Sequence, residues 1–320
     1  MGRLYKDKIP HVKNYYRGGS YFYTTNFSNT EKELFKLEMK YLFHFIPEKK
    51  HFFSTEYINP SISPFIRHCI SVRYAGETLK DITTQLKIHN FYSENFKVYY
   101  INIENDGIGY HERRKIEGIV GSYIKGSPAL QNPGIIYGIS QISGLWIFGE
   151  CESSDFRWQQ HKRKPISFSN ALTVELSRAV SNISAAKTMV DPCCGVGTVV
   201  IESLDLGLNI KGYDQNPKIC SGARKNLEYF GFEDVIYNKS INSIDSHFDA
   251  SIIDLPYGLF TDTCLDKQLE IIKCARKISD SMCLITTENM ESHLTDSGYK
   301  IEDQCSVSKG KFQRIISVCR

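Results

Sequence analysis

One short stretch, residues 191–198, limits what this chain can fold into more than any other. Its sequence is DPCCGVGT, and it follows the apolar end of a strand pattern. Gly195 and Gly197 have no Cβ, so the backbone can turn tightly there and approach a ligand closely. Thr198 begins a helical pattern, and the first turn of a helix offers free backbone amides. The stretch therefore predicts a strand, a tight turn and a helix in direct succession.

The sequence around this stretch alternates strand and helix patterns. Helices are predicted at 171–183, from 198, from 217 and at 266–278, and strands at 188–191, 209–214, 235–240, 250–255 and 282–287, with a closing hairpin over 299–318. Asn216-Pro217 marks one helix start because proline is favoured at the first helical position. Repeated β-α-β units predict an α/β fold, a doubly wound and mostly parallel Rossmann-like sheet.

The N-terminal half has a different pattern and a different charge. Residues 20–103 hold strand and helix patterns compatible with a smaller α+β domain. Residues 1–165 contain 23 Lys and Arg against 16 Asp and Glu, or +7, whereas residues 166–320 contain 16 against 20, or −4. We divide the chain into an N-terminal region, 1–150, a basic linker, 151–165, and a C-terminal domain, 166–320. A basic half favours a polyanion such as RNA as partner, although ordinary solvated lysines explain the count equally well.

The cysteines and the apolar runs indicate the cellular setting. None of the ten cysteines forms a C-x-x-C pair, and zinc-ligand spacing is absent. No apolar run is long enough to span a bilayer, and the N-terminus lacks the apolar core of a signal peptide. We expect reduced, buried thiols in a cytoplasmic protein with no metal and no membrane association.

An acid at the end of the second strand points to a nucleoside. Asp214 follows Asp191 by 23 residues, and an acid at that place can accept both ribose hydroxyls. The loop lacks the third glycine of a dinucleotide site and the lysine of a P-loop, which argues against those ligands. By itself, G-x-G is equally typical of a plain tight turn.

A second stretch, Asp254-Leu-Pro-Tyr257, follows a buried-strand pattern. In an open α/β sheet that end of a strand faces the ligand crevice. Asp254 and the backbone carbonyl of Leu255 can hold both hydrogens of an exocyclic amine, whose lone pair is otherwise delocalised into the base. Asp254 can also take up the released proton, Pro256 stiffens the loop, and Tyr257 can stack on the base. Taken alone, the stretch is more often a strand-ending turn.

Both stretches resemble known motifs. DPCCGVGT and Gly-Tyr-Asp214 resemble motifs I and II of class I methyltransferases that use S-adenosylmethionine (AdoMet), and Asp254-Leu-Pro-Tyr257 resembles the Asp/Asn-Pro-Pro-Tyr motif of amino-methyltransferases, with Leu255 in place of the first proline. Residues 162–183 resemble the segment before motif I in the tRNA guanine-10 N2-methyltransferase family. This family resemblance implies a ferredoxin-like segment and a THUMP RNA-binding domain within residues 1–150.

The resemblance also implies a site. Asp254, Leu255, Pro256 and Tyr257 would be catalytic, and AdoMet would be bound by Asp191, Pro192, Cys193, Gly195, Gly197, Thr198, Asp214, Gln215, Ser240 and Asn242. Ser240 or Asn242 stands where many relatives have the acid that contacts adenine, and Phe168 replaces a histidine. The implied reaction methylates N2 of a guanosine in tRNA, by a monomer that needs no metal. Alternatives are methylation of rRNA guanine, DNA adenine or protein glutamine, and a non-catalytic RNA-binding protein with this fold.

Overall fold

The computed structural model describes residues 20–103, 107–256, 265–309 and 312–320. Within them the chain forms two compact units. The N-terminal unit contains residues 20–26, 47–61 and 65–155, and the C-terminal unit contains residues 27–46, 62–64 and 156 onwards.

Strands and helices alternate through most of the described chain. The strands are β1 (Tyr21–Thr25), β2 (His51–Ser54), β3 (Ile66–Gly76), β4 (Phe96–Tyr100), β5 (Ile135–Ile142), β6 (Leu145–Ser153), β7 (Met189–Asp191), β8 (Ile210–Asp214), β9 (Ile236–Asn238), β10 (Phe248–Asp254), β11 (Ser279–Thr286), β12 (Ile301–Lys309) and β13 (Phe312–Cys319). The helices are α1 (Lys32–Phe43), α2 (Leu79–Ile88), α3 (Tyr110–Ser122), α4 (Val174–Ile183), α5 (Thr198–Asp205), α6 (Pro217–Tyr229), α7 (Leu265–Ile278) and α8 (Glu291–Asp296).

The N-terminal unit is a six-stranded sheet in the order β2-β1-β3-β6-β5-β4. Its pairs are antiparallel except β4 with β5. Helices α2 and α3 pack on an aromatic core that includes Phe91, Tyr137 and Phe148, where the Phe91 ring meets the Phe148 ring edge-on at 5.7 Å. Mixed pairing with packed helices is an α+β arrangement, as the sequence predicts. A THUMP or ferredoxin-like identity for residues 1–150 stays a prediction.

The C-terminal unit is a seven-stranded sheet in the order β12-β13-β11-β10-β7-β8-β9. Strands β11, β10, β7, β8 and β9 are parallel, and β13 pairs antiparallel with β11 and β12. The doubly wound sheet with a closing hairpin is therefore confirmed. The chain runs outward from β7 to β9 and then returns to β10 on the other side of β7. Ligands of such sheets bind at this switch point, beyond the carboxyl ends of the strands.

Local sequence explains why the elements at the switch point form. Strand β10 is an apolar run that is buried over most of its length, as expected for a parallel strand covered on both faces. Helix α6 begins at Pro217, and the side chain of Asn216 caps it by accepting a hydrogen bond from the Lys218 amide at 3.0 Å. Both features put the ends of β10 and β8 in defined places beside the crevice.

The unit boundaries differ from the division made on the sequence. Helix α1 and residues 62–64 belong to the C-terminal unit, where α1 packs against α4 and β12. The buried Glu38 carboxylate of α1 accepts hydrogen bonds from Asn182 and Ser63, both at 2.6 Å. The segment 151–165 is also divided, because residues 157–163 form a 3₁₀ helix of the C-terminal unit that buries Trp158.

Two other sequence expectations concern thiols and membranes. The nine cysteines in the described residues are free thiols, including the adjacent pair Cys193 and Cys194. In the part of the chain that the structure describes, no helix combines the length and the hydropathy that crossing a membrane requires.

Candidate active site

The glycine stretch forms a tight turn between β7 and α5. Gly195 and Gly197 have φ angles of +53° and +82°, in the left-handed region where a Cβ causes strain. The Gly197 amide donates to the Cys194 carbonyl at 2.8 Å, which closes the turn. Gly197 is the residue before the first turn of α5, so the turn directs the free amides of that helix to the carboxyl end of β7.

Asp214 ties the turn to the end of β8. Its Oδ2 accepts a hydrogen bond from the Gly195 amide at 3.2 Å, and its Oδ1 accepts one from the Asn216 amide at 2.8 Å. The two amides fix the carboxylate in one orientation and leave further lone pairs free to accept from a ligand. Burial raises the pKa of Asp214, and the two amides oppose that shift.

The loop after β10 is anchored on both sides of Asp254. The Leu255 amide donates to the Ile285 carbonyl at 2.9 Å, and the Leu255 side chain is buried in the same hydrophobic cluster as Val190. The Pro256 carbonyl accepts from Gln268 of α7 at 2.8 Å. Burial of Leu255 thus anchors the loop where related motifs have a stiff proline. Tyr257 lies outside the described residues.

These elements surround a cavity of about 610 Å³. Among the residues predicted for the site, those that line it are Asp191, Pro192, Cys193, Gly195, Thr198, Asp214, Gln215, Ser240, Asn242, Asp254, Leu255 and Pro256. Gly197 forms the turn behind the wall without lining the cavity. The volume lies within the range of about 300–1,000 Å³ that is usual for small-molecule sites.

Four carboxyl groups, those of Asp191, Asp214, Asp254 and Glu270, line the cavity together with Lys267. Burial raises the pKa of Asp254 to about 7, and Arg314 opposes the shift. Burial also raises the pKa of Asp191 well above its ordinary value, with smaller contributions in the same direction from Asp254 and Asp214. Among the described residues, Oδ1 of Asp254 has no hydrogen-bond partner. A buried acceptor without a partner beside a cavity is suited to a ligand that donates a proton or carries positive charge.

Several residues of the site carry no signal in the sequence. Asn226 of α6 is fully buried, and its Nδ2 donates to the carbonyls of Ile166 and Val196, both at 2.9 Å, which joins the segment before α4 to the glycine turn. Arg314 of β13 donates to the carbonyl of Asn170 at 2.8 Å. A single polar residue in an amphipathic pattern does not show what it contacts, because its partners come from distant parts of the chain. Other lining residues outside the predicted set are Phe168, Asn170, Ala171, Leu172, Cys194, Val196, Val199, Asn216, Ile219, Ile241, Lys267, Glu270 and Ile271.

A second polar cluster lies elsewhere in the C-terminal unit. His161 is buried, and its Nδ1 donates to Glu202 Oε1 at 2.6 Å. Arg178 Nη1 donates to Glu202 at 2.9 Å and to Asp205 at 2.7 Å. The potential metal-ligand atoms of His161, Glu202 and Asp205 lie within 4.8 Å of one another, a spacing that is compatible with a metal ion. However, the Arg178 guanidinium already supplies a positive charge to both carboxylates. The structure places His161 in the core of the C-terminal unit.

Comparison with known proteins finds one family model and several similar proteins. Residues 157–292 match a family model described as "UPF0020: RMKL-like, methyltransferase domain". A tRNA (guanine(10)-N2)-dimethyltransferase of Pyrococcus abyssi is 30% identical over 170 residues, 49% of this chain and 52% of that protein. A protein of the same name from Methanothermobacter thermautotrophicus is 24% identical over 213 residues, 62% of each chain. Mouse U6 snRNA (guanine-N(2))-methyltransferase THUMPD2 is 26% identical over 129 residues, 38% of this chain and 24% of that protein.

Proposed function

We propose that this chain transfers a methyl group from AdoMet to N2 of a guanosine in RNA, with tRNA as the first candidate. Residues 157–292 match the UPF0020 methyltransferase-domain model, and two tRNA guanine-N2-dimethyltransferases are similar in sequence. The family resemblance stated from the sequence is confirmed by these matches. The chain spans 52% and 62% of the two archaeal relatives, so the substrate of the whole protein is part of the proposal.

One observation carries the proposal: Asp254 has a buried oxygen, Oδ1, without a partner among the described residues, and it lines the same cavity as the glycine turn. An exocyclic amine is a weak nucleophile because its lone pair is delocalised into the base. Asp254 Oδ1 can accept one amine hydrogen, which orients the lone pair, and can take up the proton that methylation releases. The Leu255 carbonyl as second acceptor and Tyr257 as stacking partner stay predictions.

The residues of the cavity fit AdoMet. Bound AdoMet supplies an electrophilic methyl group on a positively charged sulfur. Asp214, oriented by the two backbone amides, can accept from the ribose hydroxyls. Burial raises the pKa of Asp191 and of Asp254, and a positively charged ligand in the cavity favours the ionised form of both. A cavity rich in carboxylates favours a ligand with positive charge over the neutral thioether that remains after transfer. This preference supports binding of the substrate and release of the product.

The choice of RNA rests on charge and on the relatives. The first 165 residues carry seven more basic than acidic residues, which suits contact with phosphates. The three relatives described above act, by their names, on guanine N2 in tRNA or in U6 snRNA. A monomeric state and a cytoplasmic location remain predictions from the sequence.

The test is methyl transfer followed by product identification. The purified chain is incubated with labelled AdoMet and one substrate pool at a time. The pools are total tRNA, small nuclear RNA, ribosomal RNA, DNA and protein, each lacking the modification. We expect incorporation into RNA and N2-methylguanosine by mass spectrometry of nucleosides. Methyladenosine or methylglutamine as the product would overturn the substrate base, and no incorporation into any pool would favour a non-catalytic protein.

A further inference from the structure

The cavity wall near Ser240 contains an acid, Glu270, which comes from a different element than the resemblance implies. The resemblance puts an adenine-binding acid after β9, where this chain has Ser240 and Asn242. In the structure, Ser240 and Asn242 line the cavity together with Glu270 of α7. A carboxylate is therefore present at this wall, but it is supplied by a helix that starts after Asp254.

Hydrogen bonds fix the orientation of this wall. Asn242 Nδ2 donates to Glu270 Oε1, and Cys274 Sγ donates to Asn242 Oδ1 at 2.8 Å. Glu270 and Cys274 are four residues apart, so they lie on one face of α7. The opposite orientation of the amide is unfavourable because it would place Oδ1 against the Glu270 carboxylate.

The wall consequently offers an acceptor beside a donor. Glu270 Oε2 can accept, and the second hydrogen of Asn242 Nδ2 can donate. Adenine presents the complementary pair, an exocyclic N6 amine that donates and a neighbouring ring nitrogen that accepts. Hypoxanthine, with an oxygen at the same position, would face the Glu270 carboxylate with an acceptor.

We propose that Glu270, held in place by Asn242, is the residue that selects adenine in the AdoMet site of this protein. The inference rests on the proposed function, because it assumes that the cavity holds AdoMet. It assigns a binding role to α7, whose side chain Gln268 also holds the Pro256 carbonyl of the catalytic loop. One helix thus contacts both the cofactor wall and the loop that would position the amine.

The test measures binding and needs no turnover. Isothermal titration of the full-length chain uses two ligands, S-adenosylhomocysteine and S-inosylhomocysteine, which differ at the position of the N6 amine. A hydrogen bond to a charged group is worth about 1.5–3 kcal/mol, so we expect the wild-type chain to prefer the adenosyl ligand by about 10- to 100-fold. Glu270→Gln should weaken adenosyl binding by a similar factor and largely remove the preference, because a Gln amide can also donate to the inosyl oxygen.

Controls separate the outcomes. Glu228→Gln, at an exposed position of α6, should leave both dissociation constants unchanged. Unchanged adenosyl affinity and unchanged preference in Glu270→Gln would overturn the assignment while leaving the proposed function intact. A wild-type chain that binds neither adenosyl ligand nor AdoMet would instead contradict the proposed function. If thermal unfolding shows that Glu270→Gln does not fold, Asn242→Ala keeps the carboxylate but removes its hydrogen-bond partner. That variant should reduce the adenosyl preference, and an unchanged preference would count against the proposal.

Discussion

The C-terminal unit contains two groups of acids, and they have opposite surroundings. Glu202 and Asp205 are paired with Arg178, and Glu202 also accepts from His161. Asp191, Asp214 and Asp254 line the cavity, and none of the three forms an ion pair within the described residues. The charge of Glu202 and Asp205 is neutralised within the protein. The cavity acids lack such a partner and are stabilised by a ligand that carries positive charge or donates hydrogen bonds.

The direction of the pKa shift does not distinguish these groups. Burial raises the pKa of Glu202 even though His161 and Arg178 oppose the shift, and burial also raises the pKa of Asp191 and Asp254. Geometry separates them, because Asp254 has a carboxylate oxygen without a partner in the described chain and both Glu202 oxygens accept hydrogen bonds. A raised pKa therefore indicates function here only when a cavity lies beside the group.

The comparison predicts that Asp254 serves chemistry and not folding. Asp254→Ala should lower the methyl transfer rate by about 10³-fold, because the variant loses both the acceptor that orients the amine and the group that takes up the proton. Its stability should not fall, since an unpaired buried carboxylate is removed. Affinity for S-adenosylhomocysteine should stay close to that of the wild type. Single-turnover rates, thermal unfolding and S-adenosylhomocysteine titration measure these three effects.

Asp245→Asn, at an exposed position of the same unit, is the matched control and should retain the wild-type rate. Loss of S-adenosylhomocysteine affinity in Asp254→Ala would show that Asp254 holds the cofactor and not the amine.

Substitution of Arg178 should lower the stability of the protein, the reverse of what is expected for Asp254→Ala. Arg178→Met leaves Glu202 buried beside His161 without its guanidinium partner, and removal of one member of a buried ion pair costs about 3–5 kcal/mol. Denaturant unfolding measures this loss. The control is Arg320→Met, which breaks the exposed pair with Glu302 and should cost less than about 1 kcal/mol. Equal losses in the two variants would mean that the buried group does not stabilise the unit.

The sequence predicts the cavity group but not the paired group, and sequence distance explains why. Asp191, Asp214 and Asp254 each end a strand, so local patterns and the topology of parallel sheets together place them at one edge. His161 and Glu202 are 41 residues apart and meet only because a 3₁₀ helix packs on α5. The segment around His161 reads as a solvated linker because polar residues that are paired in the core have the same composition as polar residues in water.

Helix α1 illustrates the same limit. Its apolar spacing predicts a helix with one buried face, and the helix forms at Lys32–Phe43. The pattern does not show which sheet receives that face, and the division made on the sequence assigned the helix to the N-terminal region. The residues that reveal its location, Ser63 and Asn182, hydrogen-bond to Glu38 from 25 and 144 positions away.

Glu38 tests an intermediate case, an acid with hydrogen bonds but no ion pair among the bonds described. Burial raises its pKa from 4.5 to about 7, while Ser63 and Asn182 oppose the shift. The folded state therefore binds a proton more tightly than the unfolded state, and stability falls as pH rises from about 4.5 to about 7. The shift corresponds to about 3 kcal/mol.

Glu38→Gln, which can accept from Asn182 and donate to the Ser63 hydroxyl, should remove most of this pH dependence. We expect the variant to be more stable than the wild type at pH 8 and similar at pH 4.5, by denaturant unfolding at both values. A variant that is less stable at pH 8 would show that the charged form of Glu38 is favoured in the fold, as it is for a paired acid.

The smallest expected effect concerns Arg314, whose positive charge lowers the pKa of Asp254. The ionised form of Asp254 accepts the amine hydrogen. The value of kcat/KM for AdoMet should therefore rise with pH through about 7 and then level off, and its midpoint gives the pKa of Asp254 in the free enzyme. Arg314 lowers the pKa of Asp254, so Arg314→Gln should move this midpoint to higher pH and lower the rate at pH 6.5 by about two- to fivefold, less than one pKa unit would cause. Arg314→Lys keeps the charge and should keep the wild-type midpoint. Both the Gln and the Lys side chain can still donate to the Asn170 carbonyl, so the two variants differ in charge. If Gln and Lys shift the midpoint equally, Arg314 acts by holding Asn170 and not by its charge.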